Sequence, residues 1–262
     1  MLKILHILKQ RAFSSVFLTQ FLGAFNDNIF RAAMSGFVIF KLADINPADK
    51  QIMTTLAVGL FMLPFFLFSA FAGEIADKYR KDIIFKVTKF AEVIIAGLAI
   101  LGFYMQNPYL LLFVLALMGT QSAFFGPAKY SVLPDVLKKE ELIGGNALFE
   151  AGTYLAILLG IIVGGMVIPE NGSDMRTVSF LVLGIAGIGF ITSFFIPKIN
   201  PASPGLKLQF NFLKSTWENM KFATIKREIF LCILGISWFW LVGAVLISQM
   251  PGYTRKVLNS DN

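Results

Sequence analysis

The chain alternates between long apolar runs and short polar stretches. Seven runs contain about 20 mostly apolar residues each, which is the length that a helix needs to cross the hydrocarbon core of a bilayer. The pattern therefore predicts an all-α membrane protein with seven spans. These spans are residues 16–40, 52–72, 83–104, 109–125, 147–168, 178–196 and 229–250.

A different periodicity follows the sixth run. Apolar residues recur at steps of three and four between Leu206 and Met220, and Lys207, Lys214 and Lys221 lie on another face of the same helix. A helix with one apolar and one basic face lies along a membrane surface. The chain is thus predicted to have three parts. They are a six-helix unit at 1–197, a cytoplasmic linker with an amphipathic helix at 198–228, and a further span within 229–262.

The basic residues indicate which side of the membrane each loop occupies. Cytoplasmic loops of membrane proteins carry an excess of lysine and arginine. Basic residues precede the first span and follow the second, fourth and sixth spans. The alternate loops hold only Lys41, Lys50, Arg176, Arg255 and Lys256. This distribution predicts a multi-pass membrane protein with a cytoplasmic N-terminus.

Composition supports this class and excludes others. Of 262 residues, 56% are hydrophobic, whereas about 45–50% is usual in soluble domains. The net charge of +7 fits contact with anionic lipid headgroups, so we expect no nucleic-acid partner. The only histidine, His6, is followed five residues later by Arg11, so the chain lacks the His-x-x-x-x-Asp pair of membrane acyltransferases. We expect no enzyme activity, no metal and no cofactor.

The first span carries polar residues that are expensive at mid-membrane depth. They are Asn26, Asp27, Asn28 and Arg31. Such side chains face a protein interior or a water-filled cavity, and Asp27 and Arg31 are spaced to neutralise one another on one helical face. Two interpretations remain open: the group locks helices together, or Asp27 lines a central cavity and binds a cationic or polar headgroup.

A charged connection joins the second and third spans. A link this short predicts that these two helices are antiparallel neighbours. We expect Gly73 to allow a sharp turn or a close approach, and Asp77 to lie near the start of the third helix, at the positive end of its dipole. Arg80 and Lys81 hold the loop on the cytoplasmic side. Asp135, after the fourth span, is predicted to reach Arg80 or Lys81 and form a latch between loops.

Four more ionisable residues lie near or within spans. Lys89 and Glu92 are spaced to pair on the third helix, and we place that pair near the cytoplasmic interface. Lys129 lies at cavity depth if the fourth helix continues past Pro127, and among the headgroups if the helix stops there. Glu150 lies within the fifth span.

Several of these runs resemble a known family. The spacing of glycine, aspartate and basic residues at 73–82 resembles the signature loop of the major facilitator superfamily, although Tyr79 stands where a small residue is expected. Together with the runs at 21–28, 126–130 and 146–151, it resembles the lysophospholipid transporter family. The likeness is especially to the transporter-like N-terminal part of bacterial acyltransferase/acyl-ACP synthetase fusions.

The resemblance implies the N-terminal six-helix half of a facilitator fold, followed by a connector and one helix of the second half. It also implies flipping of lysophosphatidylethanolamine-like lipids to the inner leaflet of the bacterial cytoplasmic membrane, where an acyltransferase in cis or in trans restores the second chain. Of the family's functional residues, Asp27, Lys129 and Glu150 match positions of this sequence. The family's basic residue in the seventh helix has no counterpart here, and Arg31 is the candidate to replace it.

Alternating access is the mechanism that this resemblance implies. In it, Asp27 with Asn26 and Asn28 takes the ammonium group of the headgroup. Lys129 or Arg31 takes the phosphate.

Two other functions remain open from the sequence. The first is a facilitator that moves a drug or metabolite together with protons, for which Asp27 and Glu150 are suited. The second is a non-transporting membrane module that docks an acyltransferase at the inner leaflet.

Overall fold

Helices account for all regular secondary structure in the residues that the computed structural model describes, 6–41, 47–168 and 175–257, which confirms the all-α class. The longer helices are α1 Arg11–Lys41, α2 Pro47–Lys78, α3 Lys81–Tyr104, α4 Pro108–Ser131, α5 Leu142–Met166, α6 Arg176–Ser193, α7 Phe212–Ile225 and α8 Arg227–Val257. Short helical turns occupy His6–Lys9, Leu133–Val136 and Lys139–Glu141.

Local signals explain where α4 begins and ends. Its first turn is capped by Asn107, whose side-chain oxygen accepts hydrogen bonds from the backbone N–H groups of Tyr109 and Leu110 at 3.0 and 3.1 Å. A proline at the first helical position fits this start, because its missing N–H is not needed there. The helix passes through Pro127 and ends at Ser131. Lys129 therefore lies on α4, the first of the two placements that the sequence left open.

The first six helices pack in an order that differs from their order in the chain. Helix α2 packs along α4, α4 along α3, α3 along α6, α6 along α1, and α1 along α5. Two clusters of buried apolar side chains fill this bundle. One surrounds Phe30 and Phe103, and the other surrounds Phe13 and Phe85 near the end where α2 leads into α3.

Helices α2 and α3 are not packed neighbours, so that prediction is wrong. They are joined by two residues, Tyr79 and Arg80, yet each packs along α4 rather than along the other. A short link fixes the distance between two helix ends but leaves their directions free. The packing of apolar faces then decides which helices run side by side.

Four helical segments in the described residues are long and apolar enough to cross a membrane, judged by length and composition alone. They are Thr55–Lys78, Pro108–Ser131, Lys139–Met166 and Arg176–Ser193. The other three predicted spans fall on α1, α3 and α8, which are 31, 24 and 31 residues long. Of these, α1 and α3 pack in the same bundle as the four apolar segments.

Two glycines of α5 allow it to lie directly against α1. A Cβ atom added at Gly160 would lie 2.7 Å from the carbonyl oxygen of Phe25, and one added at Gly164 would lie 2.9 Å from that of Ile29. No larger residue fits at such distances without moving the backbone. These two glycines therefore form a close helix contact, whereas a Cβ at Gly165 would meet nothing within 4 Å.

The segment after α6 runs back over the end of α2. The backbone N–H of Ser203 donates to the carbonyl oxygen of Asp77 at 2.7 Å, and the N–H of Gln209 donates to a carboxylate oxygen of Glu74 at 2.8 Å. Carbonyl groups in the last turn of a helix have no partner within the helix. The segment supplies one such partner and holds itself against α2.

The chain forms two compact units, Met1–Phe212 and Leu213–Asn262. The boundary falls inside the predicted linker at 198–228, and the three-part division stays a prediction. Residues 1–5 and 258–262, at the two ends of that division, lie outside the described residues.

In the second unit, α7 is shorter than the predicted amphipathic helix. It begins at Phe212, so Leu206 and Phe210 precede it in non-helical chain. Its polar face includes Lys214, which lies 3.8 Å from Glu218. Lys221 extends over the ring of Trp217 at 5.6 Å.

Candidate functional site

A layer of polar side chains crosses the first unit between its two apolar clusters. We call it the buried polar cluster. Its members are Asn26 and Asp27 on α1, Lys89 and Glu92 on α3, and Gln121 and Ser122 on α4. All except Ser122 are buried, and Asn26, Lys89 and Glu92 are at most 1% exposed. Polar groups at this depth remain stable only when they satisfy one another.

Glu92 is the hub of the buried polar cluster. One carboxylate oxygen lies 2.6 Å from Lys89 Nζ and 3.5 Å from Gln121 Nε2, and the other accepts a hydrogen bond from Asn26 Nδ2 at 3.0 Å. The absence of a side chain at Gly23 leaves room for the lysine, because a Cβ there would collide with Lys89 Nζ. The predicted pairing of Lys89 with Glu92 is confirmed. The pair is enclosed by protein, and its place near the cytoplasmic interface stays a prediction.

Asp27 is linked to the cluster through Ser122. The hydroxyl Oγ of Ser122 lies 2.8 Å from Asp27 Oδ2 and 3.1 Å from Gln121 Oε1. The other carboxylate oxygen, Oδ1, is buried and has no hydrogen-bond partner among the described residues. The same holds for Oδ1 of Asn26. The site therefore presents two buried acceptor atoms on adjacent residues of α1.

The other two polar residues of the first span point elsewhere. The guanidinium of Arg31 lies 5.0 Å from the centre of the Phe61 ring. No ion pair joins Arg31 to Asp27 in the described part of the chain, so their predicted neutralisation does not occur by direct contact. Asn28 donates to the carbonyl oxygen of Ala24 at 2.7 Å and faces α5 at Gly160. This places Asn28 at a helix contact, and headgroup binding by it stays a prediction.

Lys129 and Glu150 meet around a tyrosine. The phenolic oxygen of Tyr130 donates to Glu150 Oε1 at 2.7 Å, and Lys129 Nζ lies 4.7 Å from the centre of the Tyr130 ring. Within the described ranges, Lys129 forms no ion pair. The structure thus brings the two predicted residues together without pairing their charges directly.

The end of the bundle where α2 leads into α3 carries a second set of charges, which we call the loop-end ion pairs. Lys81 Nζ lies 2.5 Å from Asp135 Oδ2 and 2.9 Å from the carbonyl oxygen of Ser131. Arg80 binds Asp82 through two nitrogens at 2.9 and 3.1 Å. The predicted contact of Asp135 with the basic loop is therefore confirmed for Lys81, and its role as a conformational latch stays a prediction.

Asp82 has the position that the sequence had suggested for Asp77. It lies in the first turn of α3, whereas Asp77 lies near the C-terminal end of α2, the negative end of the helix dipole. Gly73 lies within α2, and a Cβ added there would meet nothing within 4 Å. The predicted positions of Gly73 at a turn or close contact and of Asp77 at the start of α3 are therefore wrong.

Competing influences set the acidity of Asp82. Burial acts to raise its pKa, while hydrogen bonds from Arg80 and from the backbone N–H of Ile199, with the charges of Arg80 and Lys86, act to lower it. The lowering influences prevail, so the pKa of Asp82 lies below its usual value. The carboxylate is thus ionised throughout the neutral range.

Sequence reasoning missed Gln121 and Ser122. Together with Thr120 they form a run of three polar residues inside an apolar span, which was a usable signal. Their partners were not readable, because α4 meets α1 and α3 only after the helices pack.

Comparison with known proteins shows what the sequence of this chain is similar to. Residues 16–261 match the sequence profile of the Major Facilitator Superfamily. The lysophospholipid transporter LplT of Photorhabdus laumondii is 30% identical over 261 positions, which cover 96% of this chain and 60% of that protein.

Two other lysophospholipid transporters show a similar likeness. The protein of Citrobacter koseri is 30% identical over 244 positions, covering 88% of this chain and 55% of the relative. That of Escherichia coli O1:K1 / APEC is 30% identical over 251 positions, covering 90% and 56%. The chain spans somewhat more than half the length of these curated relatives.

Proposed function

This chain belongs to the major facilitator superfamily, and from that membership we propose that it forms part of a transporter that flips lysophospholipids by alternating access. The observation that carries the proposal is the buried polar cluster, a layer of ionisable groups enclosed between two apolar clusters of a membrane bundle. Ionisable groups at this depth are costly and mark pathways for polar substrates. The similar proteins named as lysophospholipid transporters support the substrate class.

The free acceptors of α1 suit the ammonium group of a phosphoethanolamine headgroup. An ammonium group has three donors and no acceptor. Oδ1 of Asn26 and Oδ1 of Asp27 are buried acceptors without partners in the described part of the molecule. In this proposal these two oxygens bind the ammonium group, and Asn28 stays at its contact with α5.

Two cations are available for the phosphate. Neither Arg31 nor Lys129 forms an ion pair with another described residue, and both lie against aromatic rings. Donors that carry a full positive charge bind phosphate oxygens strongly. Glu150, which holds Tyr130 beside Lys129, has a positioning role in this proposal.

A flipping assay tests the assignment. Vesicles that contain the protein and a fluorescent lysophosphatidylethanolamine would report movement between leaflets by chemical quenching from outside. We expect Asp27→Ala to abolish flipping, and Glu140→Gln, which removes an exposed carboxylate far from the site in sequence, to retain it. Unimpaired flipping by Asp27→Ala would contradict the site. Flipping by neither protein, with uptake of another substrate driven by protons, would favour the drug or metabolite facilitator.

The membrane setting and the partner complete the proposal. We place this multi-pass protein in the bacterial inner membrane with a cytoplasmic N-terminus, which the distribution of basic residues supports. A cysteine at Glu140 in a Cys232→Ser background would then resist an impermeant thiol reagent in intact cells. A lipid delivered to the inner leaflet with one chain is a substrate for an acyltransferase, and co-purification tests that partner. Co-purification without any flipping would favour a docking module instead.

A further inference from the structure

The hydroxyl group of Ser122 has more acceptors than it has protons. A serine hydroxyl donates one hydrogen bond, yet Ser122 Oγ lies within hydrogen-bond distance of Asp27 Oδ2, at 2.8 Å, and of Gln121 Oε1, at 3.1 Å. If Asp27 is ionised, both neighbours are acceptors only. One of them then has no donor.

The amide of Gln121 cannot resolve this conflict by turning over. Its nitrogen Nε2 faces Glu92 Oε2 at 3.5 Å. Glu92 also accepts hydrogen bonds from Lys89 at 2.6 Å and Asn26 at 3.0 Å, so both of its oxygens face donors. The nitrogen of Gln121 must therefore point at Glu92, and its oxygen must point at Ser122.

With a proton on Asp27, each donor in the series Asp27, Ser122, Gln121 and Glu92 has an acceptor in the next residue. Asp27 then donates to Ser122 Oγ, Ser122 donates to Gln121 Oε1, and Gln121 donates to Glu92, so that all the bonds run in one direction. The remaining oxygen of Asp27, which is buried without a partner, becomes an uncharged carbonyl. An uncharged group without a partner costs far less to bury than half of a carboxylate charge.

The surrounding charges permit this state. Those that act on Asp27 from the described residues are Glu92 and Lys89 on α3, Arg31 on α1 and Lys129 on α4. Lys89 and Glu92 neutralise each other at 2.6 Å. Arg31 lies over Phe61 and does not contact Asp27.

We infer that Asp27 holds a proton in this conformation and releases it to solvent when the ammonium group of a lysophospholipid binds there. The O–H bond of Asp27 breaks, the proton passes to water, and the carboxylate that remains pairs with the ammonium group. The second half of this inference rests on the proposed function. The first half does not.

Infrared spectroscopy of the full chain in lipid vesicles tests the proton directly. We expect the carbonyl band of a protonated carboxyl group at neutral pH. The band should disappear in Asp27→Asn, shift in Ser122→Ala, and persist unchanged in Asp77→Asn, which alters an exposed carboxylate. Asparagine retains a donor toward Ser122, so Asp27→Asn is expected to fold. If it does not, the shift in Ser122→Ala carries the test. Absence of a band that depends on Asp27 or Ser122 would overturn the inference.

Proton release on binding tests the second half. Lysophosphatidylethanolamine added to the protein in weak buffer should release one proton for each lipid bound, and its affinity should rise about tenfold per pH unit while Asp27 is protonated. Asp27→Asn should release none. Binding without proton release would overturn the coupling. An infrared band without any lipid binding would support the protonated Asp27 and contradict the proposed function, which keeps the two failures distinct.

Discussion

Two sets of ion pairs on α3 differ in their surroundings. In the buried polar cluster, the side chains of Lys89 and Glu92 are 1% and 2% exposed. In the loop-end ion pairs, a buried partner meets an exposed one: Arg80 is 36% exposed beside Asp82, and Asp135 is 39% exposed beside Lys81.

This difference separates a pair that must persist from pairs that can exchange partners. An exposed member keeps much of its hydration when a pair opens, so opening a pair with one exposed member costs less than opening a fully buried pair. When both members are buried, neither charge has this alternative, and separation leaves both uncompensated. The proposed alternating-access cycle requires contacts that open, and the loop-end ion pairs are better suited to that use than the buried pair is.

The largest loss of stability is expected from Glu92→Gln. It leaves the Lys89 ammonium buried without a counter-charge, so the free energy of unfolding should fall by about 3–5 kcal/mol. Thermal unfolding of the purified protein in detergent measures this loss. The double variant Lys89→Met/Glu92→Gln removes both charges and should recover a large part of it. Equal stability of Glu92→Gln and the unaltered protein would contradict the comparison.

Asp82→Asn is expected to have the next largest effect. Asp82 is buried and binds Arg80, Lys86 and the backbone N–H of Ile199. Loss of hydrogen bonds to a charged group costs about 1.5–3 kcal/mol. The matched control is Asp77→Asn, an exposed aspartate five residues earlier, whose unfolding free energy should change little. A larger loss in the control would show that charge near the loop, and not burial, matters.

Acidification should remove the stability that the Asp82 carboxylate contributes to the folded protein. Because its pKa in the folded protein is lowered, its contribution is present above the ordinary aspartate pKa of about 4 and is lost as pH falls through the folded value. The difference in melting temperature between the unaltered protein and Asp82→Asn should therefore be constant near neutral pH and shrink below about pH 4. A difference that grows on acidification would contradict this sign.

Asp135→Asn should be milder than either. Lys81 keeps its hydrogen bond to the carbonyl oxygen of Ser131 at 2.9 Å, so its ammonium group still has a polar partner. We expect a loss of about 1 kcal/mol in unfolding free energy. A loss as large as that of Glu92→Gln would mean that exposure of one partner does not lower the cost.

The smallest effect expected is that of salt. Ions screen exposed charges over about 8 Å at physiological ionic strength and reach buried pairs much less. High salt should therefore reduce the difference between the unaltered protein and Asp135→Asn while leaving that of Glu92→Gln unchanged. Equal screening of both differences would show that solvent reaches Lys89 and Glu92.

Hydropathy predicted the helices but not their ends. The second apolar run stops at residue 72, whereas α2 continues to Lys78. Hydropathy gives the length of the apolar segment that can lie in lipid. The helix itself continues past that segment until its backbone hydrogen bonds are interrupted. The fourth predicted span likewise stops at residue 125, whereas α4 passes through Pro127 and ends one turn later, at Ser131.

Only part of the candidate site could be predicted from the sequence. Asn26 and Asp27 were recognisable because polar groups are expensive inside a span, and Lys89 with Glu92 because they are three residues apart on one helix. The contribution of Gln121 and Ser122 depends on α4 lying against α1 and α3. Spacing along one helix carries no information about which other helix faces it.

By itself the sequence determined that this is an all-α membrane protein, approximately where its helices lie, and which side chains are too polar for lipid. These properties follow from interactions of each segment with its solvent and within its own helix. The tertiary structure decided that α2 and α3 do not pack against each other, that Glu92 accepts from three donors, and that Asp27 and Gln121 both contact Ser122. Those outcomes depend on contacts between distant segments, which form only when apolar faces and close-approach glycines bring particular helices together.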